Sequence, residues 1–354
     1  MRRSAEALRH NLARARALAP GRKVWAVIKA DGYGHGMEWA AAALTGHADG
    51  FSVSCIEEAL ALRESGTDAP ILVLQGPRTA VDWELCARHE LQPVLHDEQQ
   101  LSVLAGVRAE LPGLWIKLDT GMHRLGFAPT RARALFGQLR DHPAARRGLH
   151  WLTHLACADQ IAHPQNAEQM ERFTHTVAGL PGQRSVANSA LVISGGAAGL
   201  SPDEWIRPGI MLYGPSPMEG EVGPDRDLRP VMTVTAPLIA VKRLEPGACV
   251  GYGATWTADR PTRAGVVAMG YADGYPRHAP TGTPVLVQGR ECPVIGRVSM
   301  DMLEIDLTAV PDVGVGDTVT LWGDGLPVER IAEAAGTISY ELLTRVAGRL
   351  RLTD

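Results

Sequence analysis

The sequence predicts an α/β protein: a (β/α)8 barrel followed by a mostly antiparallel β domain. Three observations carry this expectation. From residue 24 to about 210, short apolar runs alternate with Ala/Leu/Glu/Arg segments of helical period. The runs are apolar almost throughout, as parallel strands covered by helices on both faces are, and eight such units within roughly 200 residues suit a closed barrel. Beyond residue 230 the texture changes to alternating, Val-rich runs punctuated by Gly and Pro, the pattern of an antiparallel sheet. The expected division is 1–225 for the barrel and 226–354 for the β domain.

The chain opens on MRRSAEALRHNLARARALAPGRK, which is Arg-rich but lacks the apolar core of a targeting peptide. Leu8, Leu12, Ala15 and Leu18 fall at helical spacing, so this segment reads as an amphipathic helix ended by Pro20-Gly21. The barrel strands then follow in order: VWAVIK (24–29), GFSVS (50–54), PILVL (70–74), LQPVL (91–95), LWIKL (114–118), GLHWLT (148–153), RSVAN (184–188) and EWIR (204–207). SPMEGEVGPDRDLRP (216–230) is rich in Pro, Gly and charge, as linkers are. MTVTAPLIAVKRL, RAGVVAMGY, PVLVQGRECPVIGRVSMDMLEIDL and DTVTLWG supply the second sheet, and one helix, VERIAEAAGTISYELLTRVAGRL, closes the chain.

Composition narrows the class. A formal net charge of −4 and 45% hydrophobic residues give no reason to expect nucleic acid or an anionic membrane as partner. Cys55, Cys86, Cys157, Cys249 and Cys292 are odd in number, widely spread and form no CxxC. Neither a disulfide framework nor a zinc site is expected, and a reducing, cytoplasmic setting is. No apolar stretch approaches the ~18 residues of a membrane span.

Catalytic groups of a parallel barrel sit at the C-terminal ends of its strands. The first strand ends in Lys29, with Tyr33 and His35 in the loop after it. The fifth runs through Lys117 toward Arg124, the sixth ends in Thr153-His154, the seventh in Asn188-Ser189, and the eighth in Arg207 before Pro208-Gly209-Ile210. Singly, each has a bland explanation. A strand-end lysine usually snorkels to water, and Gly32, Gly34 and Gly36 form a GxGxG, not a dinucleotide fingerprint. Together they place an amine for Schiff-base chemistry, cations for an anion, and hydroxyl and backbone donors for a phosphate on one rim.

VWAVIKADGYGHG, KLDTGMHRLG, THLACAD, NSA, IRPGIMLYG, YGATW, GYADGYPR, GRVSMD and SYELLTR resemble, in order and spacing, the alanine racemases. That family uses pyridoxal 5'-phosphate (PLP), and the resemblance covers nearly the whole chain. Its members usually open with a short strand joining the β domain, whereas here Met1 falls almost directly on the first helix.

The resemblance implies that Lys29 holds PLP covalently. Tyr33, Ser189, Gly209, Ile210 and Tyr340 would hold its phosphate, Arg207 would face the pyridine nitrogen, and His154 would connect the ring region to Arg207. Arg124 would lie by the phenolic oxygen and the substrate carboxylate. Tyr252, Met300 and Asp301 would come from the β domain of a second subunit, with Tyr271 near the entrance. The implied working unit is a homodimer with shared active sites acting on L- and D-alanine, either in supplying D-alanine for peptidoglycan or in its catabolism.

Racemisation removes a proton from one face of Cα and returns one to the other, so two bases are needed, and Lys29 and Tyr252 are the candidates. Lys117 precedes Arg124 by seven residues on one strand-to-loop segment. Converging cations repel, so Lys117 is expected to be carbamylated. Alternative readings are a racemase of broader specificity, a PLP-dependent decarboxylase of basic amino acids, and a non-catalytic PLP carrier. Arg207 and the YGATW tyrosine disfavour the decarboxylase, and the β domain disfavours the carrier.

Overall fold

A computed structural model of the chain describes residues 1–201 and 204–346. Strand β1 (Arg2–Arg3) precedes helix α1 (Ala5–Leu18), whose start is capped by the Ser4 hydroxyl accepting from the Ala7 N–H at 3.1 Å. Eight short strands follow: β2 (Lys23–Val27), β3 (Gly50–Val53), β4 (Ile71–Val73), β5 (Leu91–Leu95), β6 (Leu114–Lys117), β7 (Leu149–Leu152), β8 (Arg184–Asn188) and β9 (Trp205–Arg207). They pair in parallel, each with the next, and β2 closes on β9 with Lys23 opposite Trp205. The expected barrel is present.

The helices between the strands are α2 (Met37–Leu44), α3 (Ile56–Glu64), α4 (Ala80–Arg88), α5 (Glu98–Leu104), α6 (Ala132–Leu139), α7 (Pro164–Val177) and α8 (Ser189–Ile193). Inside the barrel, Trp25, Leu72, Val94, Trp115, Leu152 and Trp205 form one buried cluster, with the Trp25 and Trp205 rings stacked 4.1 Å apart. Filling the interior this way makes the barrel a packed core whose working surface is its rim.

Past the linker, the β domain is built on one long strand, β10 (Met232–Leu244). Strands β11 (Cys249–Val250) and β12 (Trp256–Thr257) form a small hairpin, and β13 (Thr262–Val267), β14 (Pro284–Val287), β15 (Arg290–Ile295), β16 (Leu303–Asp306) and β17 (Thr318–Trp322) complete the antiparallel sheet. β10 pairs with three partners along its length: β1 at Met232 and Thr233, β17 from Val234 to Pro237, and β13 from Leu238 to Leu244. Irregularities between Val234 and Thr235 and between Leu238 and Ala240 let it turn from one partner to the next.

Two expectations need correcting. The first helix is not the first element: Arg2 and Arg3 form a strand that covers the end of β10. Two residues suffice for a ladder but are too few to leave a sequence pattern. The closing segment is also not one helix. It splits into α9 (Val328–Ala334) and α10 (Ser339–Thr344), because Gly336 adopts φ +66° and ends the first. Residues 347–350 of that segment lie outside the described residues.

Candidate active site

Lys29 stands two residues past the end of β2, where the chain turns left-handed. Ala30, Asp31, Gly32 and Tyr33 have φ between +51° and +60°. Three of the four are not glycine, and each such residue costs ~1–2 kcal/mol unless its surroundings hold it. Here several bonds do. Gly32 N–H donates to the Ile28 carbonyl at 2.8 Å, and Asp31 Oδ1 accepts from Met37 N–H at 2.8 Å. His35, fully buried, turns Nδ1 to the Tyr33 carbonyl at 2.9 Å and the Gly32 carbonyl at 3.0 Å. Burial holds the His35 ring neutral, down to about 4.

This turn aims Tyr33 across the rim. Its ring stacks on Tyr213 at 4.8 Å and meets Tyr340 at 6.1 Å. A Cβ on Gly209 would stand 2.5 Å from the Tyr33 hydroxyl, so only glycine leaves room there. Ser189 Oγ, nearby, accepts from Gly209 N–H at 2.8 Å and from Met211 N–H at 3.4 Å, and Ile210 lies between those donors. Tyr340 arrives on α10, which packs on the lysine turn so closely that a Cβ at Gly34 would strike the Leu343 carbonyl.

Arg207, at the end of β9, is buried and hydrogen-bonded through both terminal nitrogens. Nη1 donates to Ser185 Oγ at 2.5 Å, and Nη2 to the Thr153 carbonyl at 2.6 Å and the Val186 carbonyl at 3.4 Å. Nη2 also stands 3.4 Å from His154 Nδ1. Burial and the Arg207 charge hold His154 well below its ordinary value, so the ring is neutral. Lys29 is lowered by burial first and by the cations Arg124 and Arg207, opposed by Glu58. Lys117, buried at the end of β6, is lowered to about 8 by burial, Arg207 and Arg124. Arg124 itself lies exposed in the loop after β6, which Asp119 anchors by accepting the N–H groups of Gly121, Met122 and His123 at 3.0–3.1 Å.

The other predicted residues gather elsewhere. Tyr252, in the turn between β11 and β12, is 71% exposed. Tyr271 and Met300 are 39% and 54% exposed, and Asp301 is exposed as well. Ala272 N–H donates to the Met300 carbonyl at 2.9 Å, and Tyr271 N–H to the Ser299 carbonyl at 3.1 Å, which ties their two loops together. The residues expected in the site thus fall into two groups in one chain: those of the barrel rim with Tyr340, and the exposed Tyr252, Tyr271, Met300 and Asp301 of the β domain. Among the described residues, no group of three or more His, Cys, Asp or Glu side chains could hold a metal ion, and no helix is long and apolar enough to cross a membrane.

Residues 4–217 match the model of the alanine racemase N-terminal domain, and residues 231–353 that of the alanine racemase C-terminal domain. The chain belongs to the alanine racemase family. It is 53% identical over 360 residues to the alanine racemase of Thioalkalivibrio sulfidiphilus, covering 99% of each chain. It is 46% identical over 345 residues to the biosynthetic alanine racemase of Pseudomonas aeruginosa, with 97% and 95% covered. The crystal structure of a Pseudomonas aeruginosa biosynthetic alanine racemase superposes with a TM-score of 0.94 at 46% identity, over 100% of this chain and 98% of that one. That of the Bartonella henselae alanine racemase with covalently bound pyridoxal phosphate superposes at 0.87 and 28% identity, covering 99% and 98%. As a member of the alanine racemase family the chain is an isomerase.

Sequence reasoning missed three residues of this racemase rim. Tyr213 stacks on Tyr33, and its hydroxyl donates to the Val27 carbonyl at 3.2 Å. Ser185 receives Arg207. Glu58 accepts the N–H of Ala30, the residue after Lys29, at 2.7 Å. Ser185 was recoverable, being in the strand that ends at Asn188; Glu58 reads in sequence as an ordinary acid in the first turn of a helix.

Proposed function

We propose that this member of the alanine racemase family interconverts L- and D-alanine with PLP bonded to Lys29, using Lys29 and Tyr252 of a second copy as the two bases. The observation that carries the reading is the rim itself. A desolvated lysine and a buried arginine share it with a cradle of hydroxyl and backbone donors. The residues fit the cofactor, since Gly209 keeps open the space beside the Tyr33 hydroxyl and the donor set suits a phosphate. The Bartonella relative, described with covalently bound pyridoxal phosphate, supports the same assignment.

Tyr33, Ser189, Gly209, Ile210 and Tyr340 would hold the phosphate, Arg207 would face the ring nitrogen, and Arg124 would meet the phenolic oxygen and the substrate carboxylate. When bound, PLP supplies an electron sink that acidifies the Cα–H bond of alanine. Arg207, a cation where a strong sink would need a carboxylate, disfavours a proton on the ring nitrogen. That favours proton exchange over decarboxylation. Burial among cations lowers the Lys29 amine, which favours the neutral form that can take a proton from one face of Cα. The other face needs a second base, and the exposed Tyr252 surface supports its coming from another copy. Met300, Asp301 and Tyr271 would line the substrate's approach from that side. The biosynthetic designation of the Pseudomonas relative supports supply of D-alanine as the role.

Chiral chromatography over a panel of L-amino acids tests the activity, with alanine expected as the preferred substrate. Borohydride reduction and peptide mapping should label Lys29, and Lys29→Ala should abolish turnover in a folded protein. Label on another lysine overturns the assignment.

A further inference from the structure

Lys29 is fixed to the neighbouring barrel unit from both sides. Ahead of it, Ile28 N–H donates to the Ser52 carbonyl of β3 at 2.9 Å. Behind it, the Ala30 N–H, part of the peptide that carries the Lys29 carbonyl, donates to Glu58 Oε1 at 2.7 Å. The other oxygen, Oε2, accepts from Ser54 N–H at 2.7 Å, just past the end of β3. One half-buried carboxylate thus joins the exit of β3 to the first residue of the left-handed turn. The groups facing the Lys29 amine are otherwise cationic or neutral: Arg124 and Lys117 from the β6 segment, Arg207 from β9, and His154 after β7. Asp119 faces Lys117 from the β6 loop, while Asp31 of the turn is occupied by Met37 N–H.

We propose that Glu58 is a positioning residue for Lys29, locking its main chain to the end of β3 and opposing the cations around its amine with a negative charge. The inference rests on Lys29 holding PLP. Without the clamp, the strained turn loses the bond nearest the lysine, and the amine is left among cations alone. Both changes bear on the same atom, because the main chain of Lys29 sets where its Nζ reaches.

The test compares Glu58→Gln, Glu58→Asp and the wild type as holoenzymes, with Glu57→Gln as a charge control on the exposed neighbouring position. The wild type is first reduced with borohydride and mapped; label away from Lys29 overturns both this inference and the reading beneath it. With Lys29 labelled, the inference stands alone. Glu58→Gln should then move the pH midpoint of the bound cofactor's visible absorption lower by about half a unit to one unit. It should also speed loss of cofactor on dilution about tenfold, while Glu57→Gln matches the wild type. Glu58→Asp keeps the charge and shortens the reach, so it should retain the midpoint yet release cofactor faster. A Glu58→Gln protein with wild-type midpoint and release, or with only a lowered melting temperature, overturns the proposal. If Glu58→Gln does not fold, wild-type cofactor release from Glu58→Asp does so.

Discussion

Two lysines on one rim are pushed toward neutrality by the same causes and have different uses. Lys117 lies buried beside Arg207 and Arg124, with an amine lowered to about 8. Only the neutral amine adds carbon dioxide, so carbamylation should be slight well below that value and grow as pH rises through it. Protein in 13C-bicarbonate should show a carbamate carbon that increases from about pH 7 to about pH 9 and is missing in Lys117→Ala. A bare amine throughout would leave Arg124 without its expected anionic partner. Tyr252→Phe keeps the ring and removes the ionisable hydroxyl. A tyrosine is ordinarily a poor base near neutral pH, so the proposed role of Tyr252 needs cationic neighbours from another copy. The variant should still bind PLP, yet lose α-proton exchange with deuterium oxide from L-alanine at least about tenfold more than from D-alanine. Equal losses from both would deny Tyr252 its separate face. Lys29, Ser189 and Arg207 were legible in the sequence because each stands where an apolar run stops. Glu58 and Tyr213 were not, because their partners lie on other strands and nothing in their own spacing marks them.

At the scale of elements, the eight barrel strands were readable to within a residue or two, since burial on both faces leaves unbroken apolar runs. The GxGxG of the turn after β2 drew attention to its glycines, yet its left-handed course runs mostly through Ala30, Asp31 and Tyr33. Its course is held by local bonds of Asp31 and His35 and by distant contacts from Glu58 and Arg3, none of which periodicity registers. Gly34, at φ +77° and pressed against the Leu343 carbonyl, ties this turn to α10. Gly34→Ala should destabilise the protein by ~2–4 kcal/mol and weaken cofactor retention, because α10 must back away and take Tyr340 with it. Thermal melts and cofactor release check this. Wild-type values for both would mean that α10 can shift without loss.

For the whole molecule, the decisive feature is that one chain separates its two proposed bases. Lys29 lies in the barrel mouth, and Tyr252 stands exposed on the β domain. Mixing a Lys29→Ala chain with a Tyr252→Ala chain should therefore restore activity, since one hybrid site then has both groups. No recovery, with mixed dimers demonstrated, would place both bases in one subunit. The family resemblance implied this sharing, and Tyr252 stands free to meet another copy. The strand Arg2–Arg3 has a consequence for how the protein is made. It is synthesised ahead of the barrel, yet its partner β10 comes only after the entire barrel. The β10 sheet can cover that edge only once segments on either side of the barrel meet, a loop closure of very high contact order. Arg3 also donates to the His35 carbonyl behind the lysine turn, so this late closure reaches the rim. An affinity tag fused ahead of Met1 would sit at that junction, and cofactor retention in tagged protein would then report on the tag as well as on the enzyme.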